Sequence, residues 1–194
     1  MMAPPGSNQL FAAKIAFLGQ HGAHQSGHSR SSLLRHLLGT YELLHAWGGR
    51  AALCNAGLFH SVYGTETYPH ASVPLSLRDE VRALIGEEAE QLSYLFGAMV
   101  RDSLYENLGR SEGFSVCCWR TRESLPLSSA QLLDLYHLAV ANWLEQHLRV
   151  PIERRYARRQ EFSALRRHLD ARACAALEVA YGFGDAAARQ PSGG

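Results

Sequence analysis

Residues 28–68 read HSRSSLLRHLLGTYELLHAWGGRAALCNAGLFHSVYGTETY, and the fold turns on how this stretch is parsed. Leu33, Leu37, Thr40, Leu44 and Trp47 recur at alternating steps of four and three, a spacing that lines one face of an α-helix. His36 comes three residues after Leu33 and four before Thr40, so it belongs at the edge of that buried stripe. Ser31 or Ser32 can cap the start of the helix, and Gly48 supplies the left-handed residue that stops it. A second helical segment, residues 51–63, carries Ala52, Ala56 and Gly57, small positions against which a neighbouring helix can close. His60 stands near its end. Two imidazoles on consecutive antiparallel helices can converge on one point, which is how a helical protein assembles a metal site from residues far apart in sequence. The competing reading is two packing histidines whose ring nitrogens bond to backbone carbonyls or to Thr40 and Ser61.

Outward from this core, the chain is 194 residues long, 46% hydrophobic and 19% charged, which suits one soluble globular domain with a proper core. A formal charge of +1 gives no global preference for nucleic acid or an anionic membrane surface. Lys14 is the only lysine, so Schiff-base chemistry has a single candidate. Cys54, Cys117, Cys118 and Cys174 show no C-x-x-C spacing and read as reduced thiols. The first ten residues, MMAPPGSNQL, lack the basic start and apolar run of a signal peptide, and no apolar run reaches transmembrane length. These features predict a soluble, cytoplasmic protein.

Around the central pair, residues 8–19 form a short amphipathic helix with Leu10, Phe11, Ile15 and Leu18 near one face. The HGAHQSGHSR segment reads as a glycine- and serine-rich loop in which His28 can fold back toward the pocket of His36. After His60, Glu66 is the only nearby carboxylate, and Tyr63 and Tyr68 are candidate substrate contacts. Ser76 is expected to cap a helix over L-R-D-E-V-R-A-L-I. After Gly86 a further helix buries Leu92, Leu95, Phe96 and Met99, with Arg101 and Asp102 closing it. Residues 113–127 alternate as a hairpin or flap beside the pocket does, with Arg120 and Arg122 on it. Ser128 or Ser129 caps a late helix reaching about Leu148, on which Leu132, Leu135, Ala139 and Asn142 share a face; a buried amide there must find partners. The arginine-rich segment that follows reads as a surface helix built on Phe162, Leu165 and Leu169. There is no G-x-S-x-G elbow, Walker-type phosphate loop or H-E-x-x-H.

The order of a helix with an inward histidine, a short turn and a helix ending A-G-L-F-H-S-x-Y-G-T resembles the HD-domain superfamily of all-helical metalloproteins. That superfamily is mainly phosphohydrolases, with a branch of non-haem di-iron oxygenases similar to myo-inositol oxygenase. The longer run beginning H-S-x-x-x-L-L-x-H-L-L-G-T also resembles a group of uncharacterised bacterial HD-like domains. The resemblance implies that His36 takes the place of the first metal ligand and His60 that of the histidine in the His-Asp pair. Ser61 stands where the family has aspartate, and a serine hydroxyl cannot bridge two cations as a carboxylate does. The family's last ligand is an aspartate on a late helix; its best counterpart is Asn142, with Asp134 and His137 as alternatives.

The expectation is therefore an all-α, single HD-like helical bundle over residues 1–185, with one short hairpin or flap and a flexible tail over 186–194. Its metal ligands are expected to be His28, His36 and His60, with Glu66, Tyr63 and Asn142 as catalytic residues. One divalent metal, iron ahead of manganese or zinc, would serve oxygenase-like or water-activating chemistry on a small molecule. The alternatives are an HD-type phosphohydrolase and a metal-free pseudo-enzyme. No nucleic-acid or membrane partner is expected, and a homodimer is compatible with the sequence.

Overall fold

The computed structural model describes residues 5–23 and 30–183. Nine helices and one hairpin follow in order among them: α1 (Pro5–Leu18), α2 (Arg30–Ala46), α3 (Ala51–Phe59), α4 (Arg78–Ile85), α5 (Glu87–Ala98), α6 (Arg101–Tyr105), β1 (Ser115–Cys117), β2 (Ser124–Pro126), α7 (Ser129–His147), α8 (Arg159–Leu165) and α9 (Ala171–Tyr181). The fold is all-α with a short antiparallel hairpin, in which Val116 faces Leu125. Both His24 and His28, and the 186–194 tail, lie outside the described residues.

The bundle centres on α2, which packs against α3 on one side and α7 on another, while α3 also packs on α5. The expected stripe of α2 is the reason: Leu37, Thr40 and Leu44 are fully buried. Gly57 on α3 lets the two helices close, since a Cβ there would stand 2.6 Å from Leu44 Cδ1. Gly48, at φ +84°, ends the α2 stretch by turning into the left-handed region. On α7, Leu132, Leu135, Leu138, Ala139 and Val140 complete the larger of two apolar clusters with Leu92, Leu95, Phe96 and Met99 of the α5 region. Ser128 caps α7 as expected, in a full capping box: its hydroxyl accepts from Gln131 N–H while Gln131 Oε1 accepts from Ser128 N–H.

Several local expectations are corrected. Helix α2 spans Arg30–Ala46, so Ser31 and Ser32 fall within it and not ahead of it. Ser76 sits in a 3-10 turn, Leu75–Leu77, and contributes no side-chain cap to α4. Leu10 is half exposed, whereas Lys14 is buried on α1 and donates to Asn55 Oδ1 at 2.7 Å. His21 lies at the kinked end of α1 with non-helical backbone angles, its ring tilted against Phe17 at 4.2 Å and its Nδ1 3.0 Å from the Phe17 carbonyl. Arg101 and Asp102 do not close α5. A break at Met99 and Val100 separates them from it, and they open α6. Arg120 stacks on Trp119 and donates to the backbone carbonyls of Tyr63 and Gly64, which ties the hairpin to the turn after α3.

Candidate metal centre

Helices α2, α3 and α7 each deliver one polar side chain to a single point. His36 sits at the edge of the α2 stripe as its spacing requires. His60 follows α3 directly, and Asn142 lies on α7 one turn beyond buried Ala139. His36 Nε2 is 3.1 Å from His60 Nε2 and 3.1 Å from Asn142 Oδ1. His60 is 1% exposed and its ring meets the Phe96 ring edge-on at 5.2 Å.

The outer nitrogens of both rings are engaged, and this decides their tautomers. His60 Nδ1 lies 2.7 Å from the carbonyl of Gly57, which can only accept, so Nδ1 carries the proton and Nε2 presents a lone pair. Burial, followed by the neighbouring His36 charge, pushes the His60 pKa down to about 3, so the ring is neutral at physiological pH. His36 Nδ1 faces the carboxylate of Glu145, which likewise accepts only. In the neutral His36 ring, Nε2 is therefore also a lone pair. Two imidazole lone pairs and an amide oxygen thus point at one another, with no proton assigned between them.

Glu145 is the residue that sequence reasoning passed over. It stands three residues after Asn142, on the same face of α7, and its side chain is only 7% exposed. Burial alone would raise its pKa, but hydrogen bonds from His36 and from Arg149 Nη2, 2.5 Å away, outweigh that and hold it below the usual carboxylate value. Gly39 makes the approach possible: a Cβ there would stand 2.6 Å from Glu145 Cγ. The signal was present in L-A-V-A-N-W-L-E-Q, since an inward Asn142 brings Glu145 with it at helical spacing.

The other expected site residues are placed elsewhere or at one remove. Tyr63 is not brought to the site: it is 1% exposed and its hydroxyl donates to Glu90 Oε1 at 3.1 Å. Glu66 accepts from the Arg101 backbone N–H at 2.9 Å and reaches the site only as part of a cavity wall that it shares with Asn142. Asp134 pairs with Arg50, and His137 with Asp170 at 3.1 Å, so neither competes with Asn142. Ser61 does not bond either histidine; its buried Oγ has no hydrogen-bond partner among the described residues.

Two ligands each about 2.1 Å from a common cation, at an angle of 90–100°, lie about 3.0–3.2 Å apart. The two separations from His36 Nε2, 3.1 Å to His60 Nε2 and 3.1 Å to Asn142 Oδ1, meet that condition, and imidazole nitrogen and amide oxygen are both donors that a borderline divalent metal accepts. Among the described residues no three His, Cys, Asp or Glu side chains converge. A cation held by these atoms has two imidazoles and an amide as its ligands, with Glu145 in contact with one ligand instead of the ion.

Two cavities border the cluster. His36 lines one of about 400 Å³ with Leu33, Tyr68, Gln146 and Pro151. Asn142 lines another of about 840 Å³ with Glu66, Arg101, Trp143 and Arg158. Gln146 and Val150 belong to both walls.

A family model described as a domain of unknown function (DUF6817) matches residues 17–101. The matched span runs from the end of α1 to the first residue of α6 and contains His36 and His60, while Asn142 and Glu145 on α7 fall beyond it. No curated protein and no solved structure matches the chain. No described helix is long and apolar enough to cross a membrane.

Proposed function

We propose that this chain is an HD-like metalloenzyme acting on a small molecule with one divalent metal, iron ahead of manganese or zinc. The observation that carries the reading is the pair of 3.1 Å contacts that His36 Nε2 makes with His60 Nε2 and Asn142 Oδ1, an arrangement in which, with the His36 ring neutral, all three atoms are acceptors. A cation supplies what such a cluster lacks, whereas three mutually facing acceptors are otherwise unfavourable. Ser61 in the place of the family's aspartate favours one ion over two, because the carboxylate that would bridge a pair is missing.

A metal in this position would supply Lewis-acid activation of water or, as iron, oxygen activation. His36 and His60 would hold it through Nε2, each ring kept in the required tautomer by its own Nδ1 contact. Glu145 takes the Nδ1 proton of His36 in a hydrogen bond, which fixes the ring and raises the basicity of the opposite nitrogen. Arg149 bonds the same carboxylate and keeps it ionised. Asn142 adds a neutral oxygen, so the ligand set leaves the ion's full charge available to a bound substrate or water. The adjoining cavities give such a molecule access from the His36 side and from the Asn142 side.

The test is elemental analysis of protein purified without a histidine tag or added metal, beside the His36→Ala and His60→Ala variants. About one iron, manganese or zinc per chain, lost in both variants, is the expected result. Two metals per chain would favour a dinuclear phosphohydrolase of the usual HD kind. No metal in the folded wild type, with Asn142 and the two histidines bonded through a shared proton, would move the reading to a pseudo-enzyme that binds its ligand without metal.

A further inference from the structure

The larger cavity is lined by three arginines, Arg101, Arg154 and Arg158, against two acids, Glu66 and Asp102. The acids do not neutralise all three. Asp102 pairs with Arg158 at 2.5 Å and Glu66 accepts from the Arg101 backbone N–H, so both acids stand near Arg101 without bonding its guanidinium, and the three cations outnumber them. Arg101 is the exception among the cations. Its Nη1 is buried and finds no hydrogen-bond partner among the described residues. Its guanidinium carbon lies over Phe96, 3.9 Å from the ring centre, and the same ring meets His60 edge-on at 5.2 Å. Arg101 is thus one aromatic ring from the candidate metal centre and on the wall of the cavity that Asn142 also lines.

A buried guanidinium N–H such as Arg101 Nη1 is costly without an acceptor, and a planar fork of donors is matched best by an oxyanion, carboxylate or phosphate. Burial lowers the Arg101 pKa to about 10, which leaves the group charged at neutral pH. Stacking on Phe96 holds the fork in place before any ligand arrives.

We infer that Arg101 anchors the oxyanion of the substrate in the cavity of α6, α7 and the Arg154–Arg158 segment, with the reacting part of the molecule turned toward Asn142 and the two histidines. The substrate class is then a small carboxylate or phosphate ester whose charged end is read by Arg101 and whose other end reaches the metal centre. The assignment rests on the proposed reading of the His36, His60 and Asn142 cluster, but the anion contact itself does not require the metal.

That independence supplies the test. Inorganic phosphate and, separately, malonate are titrated calorimetrically into the wild type as isolated, into the wild type stripped with EDTA and dialysed, and into Arg101→Gln, Arg101→Lys and Arg110→Gln. The inference expects at least one of the two anions to bind, with affinity within about twofold after metal removal. It expects a loss of about tenfold or more in Arg101→Gln, a smaller loss in Arg101→Lys and none in Arg110→Gln, whose arginine is exposed and away from the cavity. Preference for one anion identifies the source of the charge. Binding abolished by EDTA would put the anion on the metal and overturn the role of Arg101 while leaving the metalloenzyme reading intact. Unchanged binding in folded Arg101→Lys and Arg101→Gln, or no binding of either anion, would overturn it as well. Should Arg101→Gln not fold, Arg101→Lys and Arg154→Gln carry the test, and the absence of any loss in both would overturn the assignment.

Discussion

Two buried carboxylates, Glu90 on α5 and Glu145 on α7, stand in opposite situations. Glu90 is fully buried and satisfied on all sides: Arg78 donates to it from Nε at 2.6 Å and from Nη2 at 2.9 Å, and Tyr63 donates at 3.1 Å. Both carboxylate oxygens of Glu90 are held by donors from the protein, so the group braces α4 against α5 and calls for nothing further. Glu145 is also satisfied, by His36 and Arg149, but the histidine it holds presents its other nitrogen to two more acceptors. The first network closes on itself. The second ends at an open point, and that difference separates a structural ion pair from a candidate site.

If the comparison is sound, the two carboxylates should fail differently. Glu90→Ala leaves the buried Tyr63 hydroxyl without its acceptor and the half-buried Arg78 with Gln91 alone, and a loss of about 1–3 kcal/mol in unfolding free energy is expected, read by denaturant titration. Metal stoichiometry in whatever fraction remains folded should be unchanged. Equal loss of metal and stability in this variant would erase the distinction.

Acid should act on the open cluster. His60 titrates near 6.5 when unfolded and about 3 when folded, so above 6.5 neither state is protonated and no penalty exists. As pH falls below 6.5 the unfolded chain takes up a proton that the native ring resists, and stability declines by up to about 1.4 kcal/mol per pH unit toward pH 3. Glu145, with its folded pKa lowered, adds loss of the same sign below about 4.5. Denaturant midpoints from pH 8 to 4 check this, and His60→Ala should flatten the upper part of the slope. A slope unchanged in that variant would assign the acid sensitivity to other groups.

Glu145→Gln keeps the shape and can still accept from His36 Nδ1–H, but it removes the charge. Metal affinity is expected to fall about 10–100-fold with little change in thermal midpoint, the reverse of the Glu90 result. Gly39→Ala is the mildest probe. Alanine favours the helix by up to about 1 kcal/mol relative to glycine, yet its Cβ would press on Glu145 Cγ, so stability should hold while metal affinity falls by less than in Glu145→Gln. Unaltered affinity in both variants would mean that Glu145 does not position His36.

Much of this was legible in the residues. The four- and three-residue steps from Leu33 to Trp47 placed His36 at a core edge, and Asn142 was marked as inward by Leu135 and Ala139. What escaped depended on contacts between distant segments. Glu145 escaped because its partner lies 109 residues away, and nothing local announces that Gly39 admits it. Tyr63 follows His60 by three residues and seemed aimed at the same pocket, but the turn at His60–Gly64 sends its ring into the second apolar cluster beside Val62 and Val81. Arg101 resembled a helix-closing cation because the break at Met99 and Val100 is made by the bridge from Met99 to Cys118, a pairing no local pattern encodes.

The most direct measurement is X-ray absorption at the edge of the metal that copurifies with the untagged protein, in the wild type and in His60→Ala. Imidazole scattering from two histidines in the wild type, falling to one or accompanied by loss of the metal in His60→Ala, is the outcome this account requires. A first shell without imidazole, or one that His60→Ala leaves unchanged, would contradict it.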